Sequence, residues 1–174
     1  GYGILSLPKN AANGQVSVTV KGRTARNDVS GNFETNTTGW APNLGTISIT
    51  TDKYMIGTKS LQYEVVTLHV AAHIQALPSM FKPKKTKYYI SFWIYPKYAN
   101  WGNIAFYNFT KSESSETSYT PTANTWNKVT KILDISTKDT WDFVNDNIKL
   151  LIYHPTNTNY VAGDKVYFDG IMAI

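Results

Sequence analysis

The chain has 174 residues, no cysteine and a formal net charge of +5 at pH 7. Its length suits one domain with a buried core plus a short extension, and the absence of cysteine excludes disulfides, Cys-ligated zinc and thiol catalysis. No apolar run approaches the ~20 residues of a membrane helix, which predicts a soluble chain without membrane insertion. The densest basic run, residues 82–87, has no interleaved aromatic residues, so we expect no nucleic-acid partner.

Residues 1–30 differ in character from the rest of the chain. Within them Gln15–Val20 alternates with period two and predicts one strand, because turn signals stand on both sides, at Asn13-Gly14 and Lys21-Gly22. No partner strand is evident nearby in the sequence. We therefore expect residues 1–30 to be an N-terminal linker or strand segment, followed by one domain over residues 31–174.

Residues 31–174 contain short apolar or alternating runs separated by Gly, Pro, Asn and Thr clusters. This pattern predicts an all-β domain, with at most one helical turn between Thr137 and Asp146. Eight runs fit a two-sheet antiparallel β-sandwich of the jelly-roll type. The predicted strands are 45–51, 60–68, 70–77, 87–95, 103–110, 126–134, 147–154 and 165–173.

Alternation along these strands also sorts the aromatic side chains. In residues 89–95 the two isoleucines and Phe92 share one face and are predicted core, whereas Trp93 and Tyr95 take the other face. The same reasoning buries alternate apolar residues of 104–109 and 148–153 and turns Tyr107 and Tyr153 outward. We expect one sheet surface to present a set of rings with histidines beside them: Trp93, Tyr95, Tyr107, Tyr153, His69 and His73.

Such a surface suits a sugar, because the C–H faces of sugar rings stack on flat aromatic side chains while polar groups at the edges bind the hydroxyls. Trp101 is the loop candidate for the same role, since its neighbours are small or polar. The alternative is that a loop, the N-terminal strand or a second subunit covers the rings. The other tryptophans have structural interpretations: Trp40 packs on the core, Trp126 begins a strand, and Trp141 pins the loop after residue 137.

Catalysis is not expected. The chain contains no Gly-x-Ser-x-Gly elbow and no helical His pair with a Glu. His69 and His73, four residues apart on one strand, lie roughly 13 Å apart, which is too far for a shared metal. Glu64 and Asp169, the acids within predicted strands, are interpreted as structural groups.

Six motifs occur in a fixed order along residues 31–174: Asn32-Phe33-Glu34, Trp40, Gly57-Thr58-Lys59-Ser60-Leu61, Tyr89-Ile90-Ser91-Phe92-Trp93, Trp126-Asn127-Lys128-Val129-Thr130 and Val166-Tyr167-Phe168-Asp169. In this order and spacing they resemble the carbohydrate-binding-module family of β-jelly-rolls, which occur on glycoside hydrolases and in phage tail proteins. The resemblance covers residues 31–174 and implies a non-catalytic module that binds a glycan.

Residues 1–30 resemble, in outline, the segments that link modules in Gram-positive phage tail proteins, through Leu7-Pro8 and residues 20–25. This resemblance implies a receptor-binding domain of a phage tail fibre that holds a bacterial cell-wall polysaccharide, in the virion or at a cell surface. A trimer would raise its avidity. Two alternatives are a structural or oligomerisation domain and an accessory module of a polysaccharide-degrading enzyme.

Acidic residues near the two ends of the module suggest a cation site. Hard cations such as calcium take six to eight oxygen ligands, and the family that the chain resembles commonly holds a structural calcium here. By that resemblance the ligands are Glu34, the carbonyl of Lys59, and Asp169, with Asn32 and Asp52 as further candidates. The alternative is that these acids pair with basic residues such as Lys59 or cap a turn.

Overall fold

The computed structural model describes residues 31–66, 86–155 and 159–173, together with the backbone of residues 72–76. The predicted strand Gln15–Val20, the basic residues 82–85 and His69 lie outside the described residues. Two five-stranded antiparallel sheets pack face to face in the described part of the chain. Within that part, no helix has the length and apolar character needed to cross a membrane. The two packed antiparallel sheets confirm the predicted all-β sandwich.

The first sheet, sheet I, has the strand order β1–β4–β9–β6–β7, and sheet II has the order β2–β3–β10–β5–β8. The strands of sheet I are β1 (Ala41–Pro42), β4 (Ala72–Ala76), β9 (Ile148–His154), β6 (Gly102–Asn108) and β7 (Glu113–Tyr119). The strands of sheet II are β2 (Gly45–Thr50), β3 (Ser60–Val65), β10 (Lys165–Ala173), β5 (Lys87–Tyr95) and β8 (Asn127–Asp134).

Each of the eight strands predicted within residues 31–174 corresponds to an observed one, and the bounds of β5 and β10 agree with the prediction. Strands β1 and β7 were not predicted from the sequence. Strand β1 is only two residues long and contains Pro42, which hides it from any pattern search. Strand β7 is an edge strand made mostly of Ser, Thr and Glu, so it lacks apolar alternation, and only its last residue, Tyr119, is buried.

The core lies between the inner faces of the two sheets. Sheet II contributes the alternate residues of β5, and sheet I contributes those of β6 and β9. Burying each of these side chains stabilises the fold by about 1.5–3 kcal/mol. The predicted core parity is confirmed for eight fully buried residues: Ile90, Phe92, Ile94, Ile104, Phe106, Ile148, Leu150 and Ile152.

Two tryptophans have the structural roles predicted for them. Trp40 is buried and packs edge-on against Phe33, with ring centroids 6.1 Å apart. Trp141 is buried, and its indole N–H donates to Glu113 Oε2 at 2.7 Å, which ties the loop after β8 to β7. That loop includes one helical-type bond, from Asp146 N–H to the Asp142 carbonyl at 2.8 Å.

Candidate functional site

The rings predicted to share one sheet surface are divided between the two sheets. Tyr107 lies on β6 and Tyr153 on β9, both in sheet I, whereas Trp93 and Tyr95 lie on β5 in sheet II. The prediction of a single surface was therefore wrong. The outward parity of each ring was correct, but alternation reports only the face of a strand and not the sheet that the strand joins.

The outer face of sheet II is partly covered by the chain itself. The loop after β2 brings Lys53 Nζ to 4.5 Å from the ring of Tyr95. The ring of Tyr95 also packs against two other rings, Trp126 at 5.7 Å and Tyr167 at 6.1 Å. Tyr95 is therefore held inside a packed cluster of this chain and is not presented as an open platform.

Trp93 has a similar environment. Its direct cross-strand partner is Lys128, whose ammonium lies 5.9 Å from the indole ring. On its other side, a β-carbon built on Gly170 would lie 3.4 Å from Trp93 Cδ1 and 2.5 Å from Ile56 Cδ1, so Ile56 and the indole crowd the same position. Gly170 has a φ of +55°, a conformation that favours glycine.

The outer face of sheet I presents three successive rows of residues across strands β7, β6 and β9. Because directly opposed residues of antiparallel strands share a face, the register defines these rows. They are Ser118, Asn103 and Tyr153; then Glu116, Ala105 and Leu151; then Ser114, Tyr107 and Lys149. Rings stand in the first and last rows, whereas the middle row consists of the exposed Glu116 and the buried Ala105 and Leu151.

One end of this face carries Trp101 and Tyr153. Their ring centroids are 5.9 Å apart with an interplanar angle of 48°, and the Trp101 side chain is 55% exposed. Gly102 permits this arrangement, because a β-carbon there would lie 2.4 Å from the Tyr153 carbonyl oxygen. Burial raises the pKa of the Tyr153 phenol, which keeps its hydroxyl protonated and able to donate a hydrogen bond.

The other end carries Tyr107 and Phe109, whose ring centroids are 4.6 Å apart. The ammonium of Lys149 lies 5.1 Å from the Phe109 ring. Tyr107 stands four residues along β6 from Asn103, the partner of Tyr153, so the two ends are separated by about 13 Å along the strand. We call this surface, from Trp101 and Tyr153 to Tyr107 and Phe109, the aromatic face of sheet I.

His73 lies on β4 as the backbone register partner of Tyr153, and Gln75 is the partner of Leu151. The predicted neighbourhood of His73 and Tyr153 is therefore present at the level of the backbone. Phe109, Asn103 and Glu116 complete the same face and were not among the predicted site residues. Phe109 shares the parity of Tyr107 and was within reach of the alternation argument, whereas Glu116 belongs to the strand that the sequence analysis missed.

The predicted cation ligands Glu34 and Asp169 converge on the loop before β3. Glu34 Oε1 accepts the Thr58 and Lys59 backbone N–H groups at 2.8 and 3.2 Å, and Oε2 accepts the Thr58 hydroxyl at 2.9 Å. Asp169 Oδ2 accepts the N–H groups of Met55 and Ile56 at 2.8 and 2.7 Å. The Thr58 contacts hold the pKa of Glu34 below its ordinary value. Burial raises the pKa of Asp169, and the nearby charge of Glu34 adds to that effect.

Of the remaining predicted ligands, only Lys59 has a contact with Glu34 among the described residues. Lys59 donates its ammonium to the Glu34 backbone carbonyl at 3.1 Å. Asp52 is exposed, and its Oδ2 lies 3.9 Å from Lys165 Nζ. Asn32 is exposed beside the buried Phe33.

Comparisons with known proteins give matches at the level of structure only. No protein-family model matches the chain, and no curated protein matches it significantly. Among solved structures, the CBM22-1 xylan-binding domain of Paenibacillus barcinonensis Xyn10C is 14% identical with a TM-score of 0.59, over 81% of this chain and 88% of that chain. A family 16 carbohydrate-binding module is 15% identical with a TM-score of 0.58, over 84% of this chain and 98% of that chain. The chain has the β-sandwich fold of carbohydrate-binding modules.

A third match is the enzymatically active domain of bacteriophage CBA120 tailspike protein 4, which is 13% identical with a TM-score of 0.58. The match covers 84% of this chain but only 21% of that chain. The match therefore spans about a fifth of the tailspike domain, whereas the matches to the two binding modules span nearly the whole of each module.

The expected structural calcium can be tested against the carboxylate cluster. Among the described residues, no three His, Asp or Glu side chains form a ligand group, so calcium would need backbone carbonyls as well. Both carboxylates accept backbone N–H groups of the loop before β3, which is the turn-capping alternative. Glu34 Oε2 also accepts the Thr58 hydroxyl, and Asp169 Oδ1 accepts the Gly170 N–H at 2.7 Å, so a bound cation would share these oxygens with the loop. Asp52, engaged toward Lys165, is the weakest member of the predicted set.

Proposed function

We propose that the chain is a non-catalytic glycan-binding module whose ligand lies along the aromatic face of sheet I. The observation that carries this proposal is the pair of ring platforms, Trp101 with Tyr153 and Tyr107 with Phe109, on one outer sheet surface. Trp101 and Phe109 are exposed and Tyr153 and Tyr107 are half-buried, and grouped rings at a surface are uncommon on a soluble domain without a binding role. The fold shared with xylan-binding and other carbohydrate-binding modules supports the same assignment.

The chemistry of the face fits a chain of sugar rings. Trp101 and Tyr153 offer flat surfaces for the C–H faces of one sugar, and Tyr107 and Phe109 offer them about 13 Å further along. Between them the middle-row residues Ala105 and Leu151 are buried, at 7% and 8% exposure, so a glycan would contact mainly the rings and polar groups on either side. Side chains with hydrogen-bonding groups flank this path and can bind sugar hydroxyls: Asn103, Glu116, Ser118 and Lys149.

The charge balance of the face favours a neutral glycan. Glu116 and Lys149 are the charged members of the three rows, and they carry opposite signs. An anionic polymer would need a surplus of basic groups along this path.

The direct test is affinity gel electrophoresis of the chain in xylan, mixed-linkage β-glucan and purified Gram-positive wall polysaccharide. Trp101→Ala and Tyr107→Ala should each abolish or strongly reduce retardation in the gel that retards the unaltered chain. The matched control is Tyr54→Ala, which removes an exposed ring (48% exposed) from the loop between β2 and β3. Equal retardation of all three variants in that gel would refute the assignment to sheet I.

The biological context that we propose is a phage tail fibre, in which the module is the receptor-binding domain for a host cell-wall polysaccharide. The outline of residues 1–30 and the tailspike match support this context. In it the protein would act in the virion or at a cell surface. Co-sedimentation with Gram-positive walls, before and after chemical removal of their secondary polysaccharides, tests it. Binding that survives this removal, or exclusive binding to plant polysaccharides, would favour an accessory module of a polysaccharide-degrading enzyme instead.

A second candidate function is an assembly domain. It is favoured by an exposed apolar pair on the outer face of sheet II, where Tyr89 on β5 lies directly opposite Ile132 on β8, which is 59% exposed. Light scattering of the unaltered chain and of Ile132→Asp distinguishes the two functions. An oligomer, such as a trimer, that dissociates on this substitution identifies sheet II as an interface, whereas retained glycan binding in the same variant assigns the two sheets to separate roles.

We also propose a structural calcium at the carboxylate cluster, held by Glu34, Asp169 and the carbonyl of Lys59, with Asn32 and Asp52 as outer candidates. Bound calcium would neutralise two neighbouring carboxylates, one of them fully buried, and would tie the first residues of the domain to β10. It would stabilise the fold and take no part in glycan binding.

A further inference from the structure

The loop between β5 and β6, residues 96–101, carries Trp101 at its end and is anchored by a buried tyrosine from another part of the chain. The hydroxyl of Tyr160 lies 3.2 Å from the Lys97 backbone nitrogen and 3.3 Å from the Tyr98 backbone nitrogen, and both N–H groups donate to it. The Tyr160 ring packs edge-on against the Tyr98 ring at 4.9 Å. One side chain therefore holds two successive amides of this loop.

The hydrogen-bond capacity of the Tyr160 hydroxyl determines its third contact. A phenol oxygen accepts two bonds and donates one, and the two amides occupy its acceptor positions. Its proton must therefore go to His154 Nε2, which lies 3.0 Å away. In this arrangement the neutral His154 carries its proton on Nδ1, which is buried without a hydrogen-bond partner among the described residues, so the Tyr160 contact must offset that cost. His154, at the end of β9 and fully buried, serves as the acceptor that orients the Tyr160 hydroxyl.

Two further contacts hold the same loop. Lys97 Nζ donates to Asp164 Oδ1 at 2.7 Å, and Asn100 Nδ2 donates to the Pro155 carbonyl at 3.0 Å. Pro155 directly follows β9, Asp164 directly precedes β10, and His154 is the residue after Tyr153 on β9. The loop that carries Trp101 is thus fastened to the strand that carries Tyr153, the other ring of that platform.

We propose that Tyr160 and His154 are positioning residues for the glycan site, which fasten the 96–101 loop to the end of β9 so that Trp101 and Tyr153 form a preformed platform. This inference rests on the proposed function. A preformed platform matters because the apparent affinity is proportional to the fraction of molecules in the binding-competent conformation. Neither residue contacts the ligand in this scheme.

The test is Tyr160→Phe, which removes the hydroxyl and keeps the ring. Tyr63→Phe is the matched control, because Tyr63 is equally buried and donates its hydroxyl to the Asn43 carbonyl at 2.9 Å, a contact that does not involve the 96–101 loop. Two quantities are measured for each variant: the hydrogen-exchange rates of the Lys97 and Tyr98 amides, and the retardation in gels of xylan and of Gram-positive wall polysaccharide.

We expect Tyr160→Phe to accelerate exchange of both amides and to weaken glycan binding by about tenfold, while Tyr63→Phe leaves both quantities unchanged. Faster exchange with undiminished affinity would overturn the positioning role. Unchanged exchange would overturn the anchoring itself. Faster exchange in a chain that binds neither polysaccharide even without substitution would support the anchoring and refute the proposed function, so the two failures are distinct.

A second pair of measurements covers the case in which Tyr160→Phe does not fold. In the unaltered protein, the Lys97 and Tyr98 amides should be protected to a degree comparable with β5 amides, and exchange at open-loop rates would overturn the inference. Asn100→Ala, which releases the half-buried anchor to Pro155, should weaken binding in the same direction without loss of folding.

Discussion

Acidification should destabilise the protein through a single buried imidazole. His154 is fully buried, and burial lowers its pKa from 6.5 to about 4. Between these two values the unfolded chain binds a proton that the folded chain does not. The free energy of unfolding therefore decreases as the pH falls from about 6.5 and levels off below about 4. The difference between 6.5 and about 4, at 1.36 kcal/mol per pH unit, corresponds to about 3 kcal/mol.

This loss is a substantial part of the 5–15 kcal/mol that is typical of a domain. The assay is urea unfolding at pH 7, 6, 5 and 4 for the unaltered chain and for His154→Gln, which does not titrate in this range. Asp169 contributes with the opposite sign, because its raised pKa favours proton uptake by the folded state just above 3.8. That contribution is common to both proteins, and the difference between their curves isolates His154.

We expect the unaltered chain to lose about 3 kcal/mol more than His154→Gln between pH 7 and pH 4. The charged pair nearest to this site, Lys97 and Asp164, remains ionised over most of the range, since their contact lowers the pKa of the Asp164 carboxyl. Parallel curves for the two proteins would refute the reasoning, because they would mean that His154 titrates in the folded state as it does in the unfolded chain.

Three further predictions concern stability. Gly57→Ala should destabilise the fold by more than the ~1–2 kcal/mol that its positive φ alone would cost, because the new β-carbon would lie 2.0 Å from Glu34 Oε1. The control is Gly163→Ala, which also has a positive φ but whose added β-carbon has open space. Thermal unfolding of the two variants separates the cost of the clash from the cost of the backbone conformation. Trp141→Phe should cost about 1 kcal/mol in urea unfolding through the lost bond to Glu113, and no cost would mean that this bond does not hold the loop. Removal of calcium by EDTA, starting from a calcium concentration of a hundred times the Kd, should lower the free energy of unfolding by about 2.7 kcal/mol and with it the melting temperature. Asp169→Asn should show no such shift. An unaltered chain that is equally insensitive to EDTA would contradict the calcium proposal.

Local pattern was sufficient to predict the architecture and the buried side of most strands. The side chains of Ile90, Phe92 and Ile94 are buried because every second residue of a strand faces the same way, and this property requires no knowledge of neighbouring strands. Trp40 and Trp141 were likewise assigned to the core and to a loop anchor from their local context, and both assignments are confirmed. Strand β7 escaped prediction because an edge strand of Ser, Thr and Glu carries no apolar period.

The grouping of the rings was decided only by the tertiary structure. Tyr95 and Tyr107 have the same outward parity in sequence, yet one belongs to sheet II beneath a covering loop and the other to the outer face of sheet I. Which sheet a strand joins depends on backbone pairing between segments far apart in the chain. The alternation of side chains along one strand contains no information about that pairing.

The anchoring of Trp101 depends on tertiary contacts in the same way. Its loop is held by Tyr160, a residue about sixty positions away, whose hydroxyl is oriented by His154. No local signal links these positions, because the link exists only once β9 has placed the imidazole next to the phenol. The sequence by itself determined a β-sandwich with outward rings, and the folded chain determined which of those rings meet and what holds them in place.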